Sequence, residues 1–367
     1  MKRFRWAIPL ALLLLPAGRA ATQESFAPDS AVRSILAERL ASRRGMGFVV
    51  AVLERGKAPR INTAGVSGVA GLPLDGNIVF EIGSITKVFT GTLLAEMVAR
   101  GEVRLDDPIS RYLPGSVRTP SRNGRQITLL DLATQTSGLP RLPDNFKPAD
   151  LANPYADYSV SQLYQFLSNY TLQRDIGSRY EYSNLGVGLL GHILALRAGE
   201  SYETLLRERI LDPLGMHDTR IELTPPMKSR MAQGFDAEGT PRHLWDLPTL
   251  AGAGALRSTA NDMLKFLAAN LDSAQSPLGD VLAQARARSR DADRPGNSIG
   301  LGWHILNLFG SPITWHNGGT GGFRAFIGMD ELRHRGVIVL SNSTRNPDDI
   351  GFHLLEPKIP LETSQRR

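Results

Sequence analysis

Residues 80–91 read FEIGSITKVFTG, and this stretch decides how the rest of the chain is interpreted. Ser84 opens a pattern of apolar residues at steps of three and four, which Gly101 closes, so the stretch predicts a helix. Residues three apart share a helix face, so Lys87 can approach the Ser84 hydroxyl and act as the base that a serine nucleophile needs. The helix start also offers free N–H groups for an oxyanion. The pattern alone would favour a surface Ser and Lys on one helix.

The second candidate motif, Tyr182-Ser183-Asn184, lies between a polar turn and an apolar helix. A tyrosine near a lysine ammonium can have a lowered pKa and serve in proton transfer. An asparagine amide can hold a substrate carbonyl. A Tyr and an Asn that merely cap a helix would give the same letters.

The third candidate motif is the glycine-rich run HNGGTGGF at 316–323, which follows a short apolar strand. Glycines placed after a strand let a substrate lie close against the backbone, and the N–H of Gly319 can serve as an oxyanion donor. The alternative is a glycine-rich hairpin turn with an incidental His316. The density of glycines favours a functional site.

Taken in this order, S-x-x-K, Y-x-N and [KH]-x-G resemble the motifs of the penicillin-recognising serine hydrolases. That family includes class C β-lactamases, D-Ala-D-Ala carboxypeptidases, D-aminopeptidases and class VIII esterases, and the resemblance covers about residues 30–356. The stretches that resemble family segments are 80–91, ITLLDLATQTSGLP (127–140), DPLGMHDT (212–219), STANDMLKF (258–266) and GLGW (300–303). Together these motifs indicate a serine hydrolase.

The resemblance implies a role for each motif residue. The catalytic residues would be Ser84, Lys87 and Tyr182, the substrate-binding residues Asn184, His316, Asn317 and Gly318, and the oxyanion hole the N–H groups of Ser84 and Gly319. Ser84 would be acylated, and Lys87 and Tyr182 would share proton transfer. Which of these two takes the serine proton stays open at this point.

The resemblance also implies a β-lactamase/transpeptidase-like fold of the α+β or α/β class. Strand patterns occur at 47–55, 60–66, 303–308, 313–316, 323–329 and 337–340, and helical patterns at 127–135, 159–170, 185–198, 201–211 and 259–271. We therefore expect an antiparallel sheet built from both termini (about 30–95 and 300–356), flanked by helices, with a mainly helical region inserted at about 96–299. Residues 21–367 would form one domain.

Two positions depart from the class C pattern. Those enzymes usually carry Lys where this chain has His316, which is similar to the carboxypeptidase and D-aminopeptidase branches. If a charged His316 holds a substrate carboxylate, binding should weaken as pH rises through the histidine pKa. Class C enzymes also carry a glutamine shortly after the segment aligned with Gly138-Leu139-Pro140, where this chain reads Arg141-Leu142-Pro143. We expect loop 140–158 to shape one wall of the cleft.

The first twenty residues have the layout of a secretory signal peptide. Lys2, Arg3 and Arg5 precede an apolar run that is too short to span a bilayer, and small residues allow cleavage after Ala20 or Ala21. Removal of residues 1–20 would lower the formal charge from +6 to +2, which weakens any argument for a nucleic-acid partner. We expect a periplasmic or secreted protein without a stable membrane span.

Other chemistries are disfavoured by composition and spacing. The chain has no Cys, which excludes disulfides, thiolate metal sites and a cysteine nucleophile. The seven His show no metal-ligand spacing, and His192, His243, His304 and His353 are expected in the core or on the surface. The letters GVGLLG at 186–191 match G-x-G-x-x-G but fall inside a helical pattern, so they predict close helix packing. The basic cluster at 286–294 lacks aromatic residues and predicts a solvated face. No metal or cofactor is expected.

The sequence thus favours an exported hydrolase that forms an acyl-enzyme on Ser84 and acts on β-lactams or D-Ala-D-Ala-type peptidoglycan peptides. One alternative keeps the acyl chemistry but takes esters or other amides, as a class VIII-like carboxylesterase or D-aminopeptidase would. Another belongs to a different class, a penicillin-binding sensor or wall-binding protein that is acylated with negligible turnover.

Overall fold

The computed structural model describes residues 26–41 and 46–362, and its main sheet combines strands from both ends of that range. In chain order the strands are β1 (Gly47–Glu54), β2 (Arg60–Gly65), β3 (Phe80–Glu81), β4 (Ser121–Arg122), β5 (Arg125–Gln126), β6 (Gly234–Phe235), β7 (Pro241–Arg242), β8 (Arg257–Ser258), β9 (Arg290–Asp291), β10 (Ser298–Ile299), β11 (His304–Leu308), β12 (Ser311–Gly319), β13 (Arg324–Asp330) and β14 (Arg335–Ser341). The main sheet has the order β2-β1-β14-β13-β12-β11-β10-β9 and is antiparallel throughout. The predicted sheet from both termini is confirmed.

Helices cover both faces of this sheet and fill the inserted region. They are α1 (Asp29–Leu40), α2 (Thr86–Ala99), α3 (Leu129–Ala133), α4 (Val160–Asn169), α5 (Asn184–Ala198), α6 (Tyr202–Leu206), α7 (Pro225–Ser229), α8 (Ala260–Leu271), α9 (Gly279–Arg286) and α10 (Asp348–Leu355). A 3₁₀ turn at Gly83–Ile85 leads into α2, and a π turn at Arg207–Leu211 continues α6. Among the helices of the described residues, none has the length and apolar character needed to cross a membrane.

The alternating residues of β1 divide the interior into two cores. Val49 and Ala51 face the larger core, which holds α2, α5 and α8, whereas Phe48 and Val50 face a smaller core under α1 and α10. Both faces of the strand are therefore dry, which explains its almost continuous apolar sequence.

Helix α2 is buried along most of its length, so its first residues are held rigidly where the sheet meets the helical region. Helix α5 lies beside it, and the glycine face of α5 packs against residues 250–252. A Cβ at Gly188 would lie 2.7 Å from the Leu250 side chain, and one at Gly191 would lie 2.9 Å from Gly252 Cα. The predicted close packing of this glycine pattern is confirmed.

Three sequence-based expectations need revision. The sheet begins before residue 300, because β9 and β10 lie at its edge, and short ribbons interrupt the helical region. The strand predicted at 313–316 extends through the first glycines to Gly319. The basic cluster is not a uniformly solvated face, because Arg286 is buried and donates to the Asn270 Oδ1 atom at 3.1 Å. Its aliphatic stem and its polar partners on neighbouring elements explain that burial.

Candidate active site

Ser84 and Lys87 meet at the start of α2, as their spacing predicts. The Lys87 Nζ atom lies 2.9 Å from Ser84 Oγ and donates to the Ala253 carbonyl at 2.6 Å. Ser84 is partly exposed, whereas Lys87 is completely buried. A substrate can therefore reach the hydroxyl from solvent while the amine stays in a dry environment.

The turn that carries Ser84 depends on Gly83. This residue has φ +48°, a left-handed conformation in which most side chains are strained, and a Cβ there would lie 2.6 Å from the Gly319 amide nitrogen. The Thr86 hydroxyl donates to the Gly83 carbonyl at 2.8 Å and accepts from the Leu256 N–H at 3.1 Å. The turn therefore packs against Gly319 of β12 on one side and is hydrogen-bonded on the other side to Leu256, which directly precedes β8.

Burial lowers the pKa of Lys87 well below its ordinary value, and the nearby Arg141 guanidinium lowers it further. A neutral amine has a free electron pair and can accept the proton of Ser84 Oγ. Among the described residues no carboxylate pairs with Lys87, so nothing restores its charged form.

The segment that carries Tyr182 is pinned by hydrogen bonds to residues 135–141. The Ser183 N–H donates to the Gln135 side chain at 2.7 Å, and the Ser183 hydroxyl donates to the Pro140 carbonyl at 2.6 Å. The same hydroxyl accepts from the Gly186 N–H and so caps α5. These contacts explain why the Ser183 side chain is turned inward, although Ser183 lies between the two predicted functional residues.

The ring of Tyr182 lies close to the Lys87 amine and to the Arg141 guanidinium. Its ring centroid lies 4.8 Å from Lys87 Nζ and 5.1 Å from the Arg141 guanidinium carbon. Burial raises the pKa of Tyr182 to about 12, and the hydrogen bond with Ser84 and the Arg141 charge only partly oppose this rise. The phenol is therefore protonated near neutral pH and is suited to donate a proton rather than to take one.

Strand β12 passes directly against the Ser84 turn and presents a free edge there. A Cβ at Gly318 would lie 1.9 Å from the Ile82 carbonyl oxygen and 3.1 Å from the Ser84 nitrogen, so glycine alone fits. The Thr320 N–H donates to the Phe323 carbonyl, and the N–H groups of successive residues in a strand point to opposite sides. The Gly319 N–H therefore faces away from β13. On its other side β11 pairs only as far as Trp315. The N–H groups of Ser84 and Gly319 thus lie beside one cleft.

His316 is buried behind this edge, and its ring centroid lies 5.0 Å from that of His304. Burial is the main cause that holds the pKa of His316 well below its ordinary value, and His304 and Lys87 add to it. Burial likewise lowers the pKa of His304 to about 4. The charged His316 considered from sequence is therefore replaced by a neutral ring, which contacts the Asn317 carbonyl through Nδ1.

Asn184 presents an unsatisfied oxygen to the site. Its Nδ2 donates to the Tyr155 hydroxyl at 3.0 Å, but its Oδ1 atom is buried and finds no hydrogen-bond partner among the described residues. Buried polar atoms nearly always have a partner, so this oxygen is suited to accept a hydrogen bond from a bound molecule. Tyr155 also shows that loop 140–158 reaches the site, where its ring packs against Trp245.

The Asn317 side chain takes a different direction from the one expected of a substrate contact, since its amide donates to Asp348. Burial raises the pKa of Asp348 to about 6. A cavity of about 410 Å³ opens beside Asn317 and Tyr182 and is walled by Trp315 and Phe352.

Sequence reasoning missed three residues at this site. Tyr155 belongs to no motif, His304 was expected in the core or on the surface, and Arg141 was noticed only as a departure from a family pattern. No local signal marks Tyr155 or His304, because only the tertiary fold brings them near Asn184 and His316. Within the described ranges, no group of three or more His, Cys, Asp or Glu residues could hold a metal ion.

Comparisons with known proteins agree with this architecture. A solved structure titled β-lactamase/D-alanine carboxypeptidase, from Pseudomonas syringae, superposes with a TM-score of 0.77 over 91% of this chain and 99% of that chain, at 21% identity. This likeness concerns the fold. The family model described as Beta-lactamase matches residues 32–353.

Curated relatives extend the comparison to sequence. The chain is 33% identical to the D-alanyl-D-alanine-carboxypeptidase/endopeptidase AmpH of Escherichia coli K12, over 73% of this chain and 71% of that protein. It is 30% identical to a β-lactamase of the same organism, over 81% and 84% of the two chains. It is 28% identical to a β-lactamase of Pseudomonas fluorescens, over 81% and 88%.

The fold and these relatives define the class of the protein as a serine hydrolase. Within that class, the chain belongs to the β-lactamase family.

Proposed function

We propose that this protein is an exported hydrolase that forms an acyl-enzyme on Ser84 and hydrolyses β-lactams or D-alanyl-D-alanine peptides. The observation that carries the proposal is the contact of 2.9 Å between the buried Lys87 amine and the partly exposed Ser84 hydroxyl. Relatives named β-lactamase and D-alanyl-D-alanine carboxypeptidase support the choice of substrates.

In the acylation step, Ser84 Oγ attacks the substrate carbonyl while its proton moves to the neutral Lys87 amine. The negative charge that develops on the carbonyl oxygen is stabilised by the N–H groups of Ser84 and Gly319. The Tyr182 phenol, with its pKa of about 12, then gives a proton to the leaving nitrogen. The amine is thus proposed as the base and the phenol as the acid, a choice that the sequence left open.

In the deacylation step, water attacks the ester carbonyl in the same oxyanion hole. The proton of this water passes to the Tyr182 phenolate that acylation left, and the protonated Lys87 returns its proton to the departing Ser84 oxygen. Both groups end in the protonation states in which they began, so the cycle can repeat.

Substrate binding would use the open edge of β12. A substrate that lies along this edge can exchange hydrogen bonds with the backbone of Asn317 and Gly319, as an added strand does. The Asn184 oxygen, which lacks a partner, accepts from a substrate amide on the opposite wall. Gly318 contributes by leaving room for the strand to approach Ser84.

An ester substrate is the second candidate, and the neutral state of His316 favours it. A fixed cation at this position would select substrates with a carboxylate, whereas a neutral ring gives no such electrostatic preference. A carboxylesterase or D-aminopeptidase activity is therefore compatible with the same acyl chemistry.

A panel of nitrocefin, a D-Ala-D-Ala peptide and a short p-nitrophenyl ester tests these proposals. We expect turnover of the first two to exceed that of the ester, and mass spectrometry with benzylpenicillin to find one adduct, on Ser84. Ser84→Ala should remove the adduct and lower turnover by about 10⁴-fold or more, whereas the control Ser110→Ala should change neither. An adduct on another residue would refute the proposed nucleophile. A burst equal to the enzyme concentration followed by negligible turnover would instead support the sensor alternative.

Export is proposed from the pattern of residues 1–20, which lie outside the described residues. N-terminal sequencing of the protein recovered from a periplasmic fraction should start at Ala21 or Thr22. An intact Met1 in a cytoplasmic fraction would refute export.

A further inference from the structure

Arg141 lies at the rim of the cleft with its backbone held in place. Its carbonyl oxygen accepts from the N–H groups of Asn184 at 3.0 Å and Leu185 at 3.2 Å, at the first turn of α5. Asn184, whose side-chain oxygen is unsatisfied, is thus anchored to Arg141 through its own backbone N–H. The loop cannot move away without breaking the start of α5.

The guanidinium of Arg141 is exposed, and within the described part of the chain it reaches no hydrogen-bond acceptor. Its guanidinium carbon lies over the face of the Tyr182 ring, 5.1 Å from the centroid. Exposed arginines elsewhere, such as Arg104, Arg122 and Arg288, do reach a carboxylate. Arg141 therefore keeps five free donors in a fork that matches a carboxylate or sulfonate.

The charges around Ser84 add to this asymmetry. The cation of Arg141 lowers the pKa values of both Lys87 and Tyr182. No carboxylate of the described residues contributes to either pKa shift. A cleft with one uncompensated cation at its rim attracts an anionic ligand.

We propose that Arg141 is a specificity-determining residue that binds an anionic group on the acyl side of the substrate. The acyl side is assigned because the Asn184 N–H donates to the Arg141 carbonyl, which places Arg141 beside the Asn184 oxygen that is proposed to accept from the substrate amide. The inference rests on the proposed acyl transfer to Ser84 and adds to it the class of acyl group preferred, one that carries a carboxylate or a sulfonate.

Carbenicillin and benzylpenicillin provide a matched test because they differ by one carboxylate, which carbenicillin carries on its acyl side chain. We expect the acylation rate constant kcat/KM of the wild type to favour carbenicillin, and Arg141→Gln to lower this preference about tenfold. Arg141→Lys should keep part of the preference, because a point charge replaces a bidentate fork. The control Arg104→Gln, which removes the same charge from an exposed ion pair remote from Arg141, should leave the ratio unchanged.

The outcomes separate this inference from the proposed function. An equal loss for both penicillins in Arg141→Gln would overturn the inference and leave Arg141 a residue that only tunes Lys87 and Tyr182. Failure of both penicillins to acylate Ser84 would refute the proposed β-lactam chemistry. In that event, phenylboronic acid and 3-carboxyphenylboronic acid, which bond to a serine oxygen without turnover, take their place. A selective loss of the carboxylated inhibitor in Arg141→Gln supports the inference, and equal inhibition overturns it.

Discussion

Two regions of this molecule contain buried ionisable groups, and they differ in whether those groups have a partner of opposite charge. At the start of α3, the Asp131 carboxylate is fully buried but accepts from the Thr128 N–H and hydroxyl and from Arg125 at 2.8 Å. At the candidate catalytic corner, defined here as Ser84, Lys87, Tyr182 and His316, burial is the main cause of the shifted pKa values of Lys87, Tyr182 and His316, and no carboxylate of the described residues pairs with them. The first arrangement stabilises the fold. The second disfavours every charged form and so prepares a neutral base and a protonated acid.

Removal of the catalytic amine should have the largest effect and should separate activity from stability. We expect Lys87→Met to lower kcat/KM for nitrocefin by about 10³-fold or more, because general-base assistance is lost. The folded pKa of Lys87 lies below its unfolded value, so at pH 7 the buried amine costs stability. Unfolding in urea should therefore show a gain of about 1 kcal/mol. A clear loss of stability would contradict this account of the corner.

Removal of the paired carboxylate should do the reverse. Asp131→Ala leaves the Thr128 donors and two arginines near a buried void, and we expect the free energy of unfolding to fall by about 3 kcal/mol. The kcat/KM of the protein that remains folded should stay within about threefold of wild type. Asp106→Asn, at an exposed pair with Arg104, is the matched control and should leave the urea midpoint unchanged.

The pH profile of kcat/KM sharpens the comparison further. In the proposed mechanism activity requires neutral Lys87, so kcat/KM should fall about tenfold per pH unit below the lowered pKa of Lys87. Because the pKa of Tyr182 is about 12, no decline is expected between pH 8 and 10. A decline in that range that disappears in Tyr182→Phe would show that the phenol titrates there.

The smallest effect is expected at His316. A neutral ring gives no charge to lose between pH 6 and 8, so KM for a substrate with a carboxylate should stay constant over this range. His316→Gln supplies an uncharged side-chain N–H donor in place of the ring. It should preserve the flat profile and change kcat/KM by no more than about threefold. A KM that rises with pH in the wild type alone would restore the charged His316 considered from sequence.

Local spacing predicted the parts of the site that lie within one helix turn. Ser84 and Lys87 meet because residues three apart share a face, and the glycine pattern of α5 was interpreted correctly from its position inside a helix. Both inferences need only the geometry of one element. The strands of the sheet were likewise visible as apolar runs, but their order was not predicted, and their antiparallel arrangement was taken from a family resemblance.

Tertiary contacts explain what sequence could not supply. The protonation states of Lys87 and His316 depend on burial by distant segments, including the Ala253 carbonyl and the ring of His304. The Tyr155 hydroxyl reaches Asn184 only because loop 140–158 folds back over α5. No periodicity in the chain encodes such meetings.

The pairing of β1 with β14 has a consequence for how the chain can fold. Phe48 lies opposite Ser341, so this pair of strands joins residues from near both ends of the described chain. Closing so long a loop carries a large entropic cost and makes this a pairing of high contact order. The edge of β12 that faces Ser84 is held by β13 and β14, so the site cannot take shape before the last strand has been synthesised. A nascent chain that stops short of β14 would therefore carry the Ser84 and Lys87 motif on a helix without a cleft to serve.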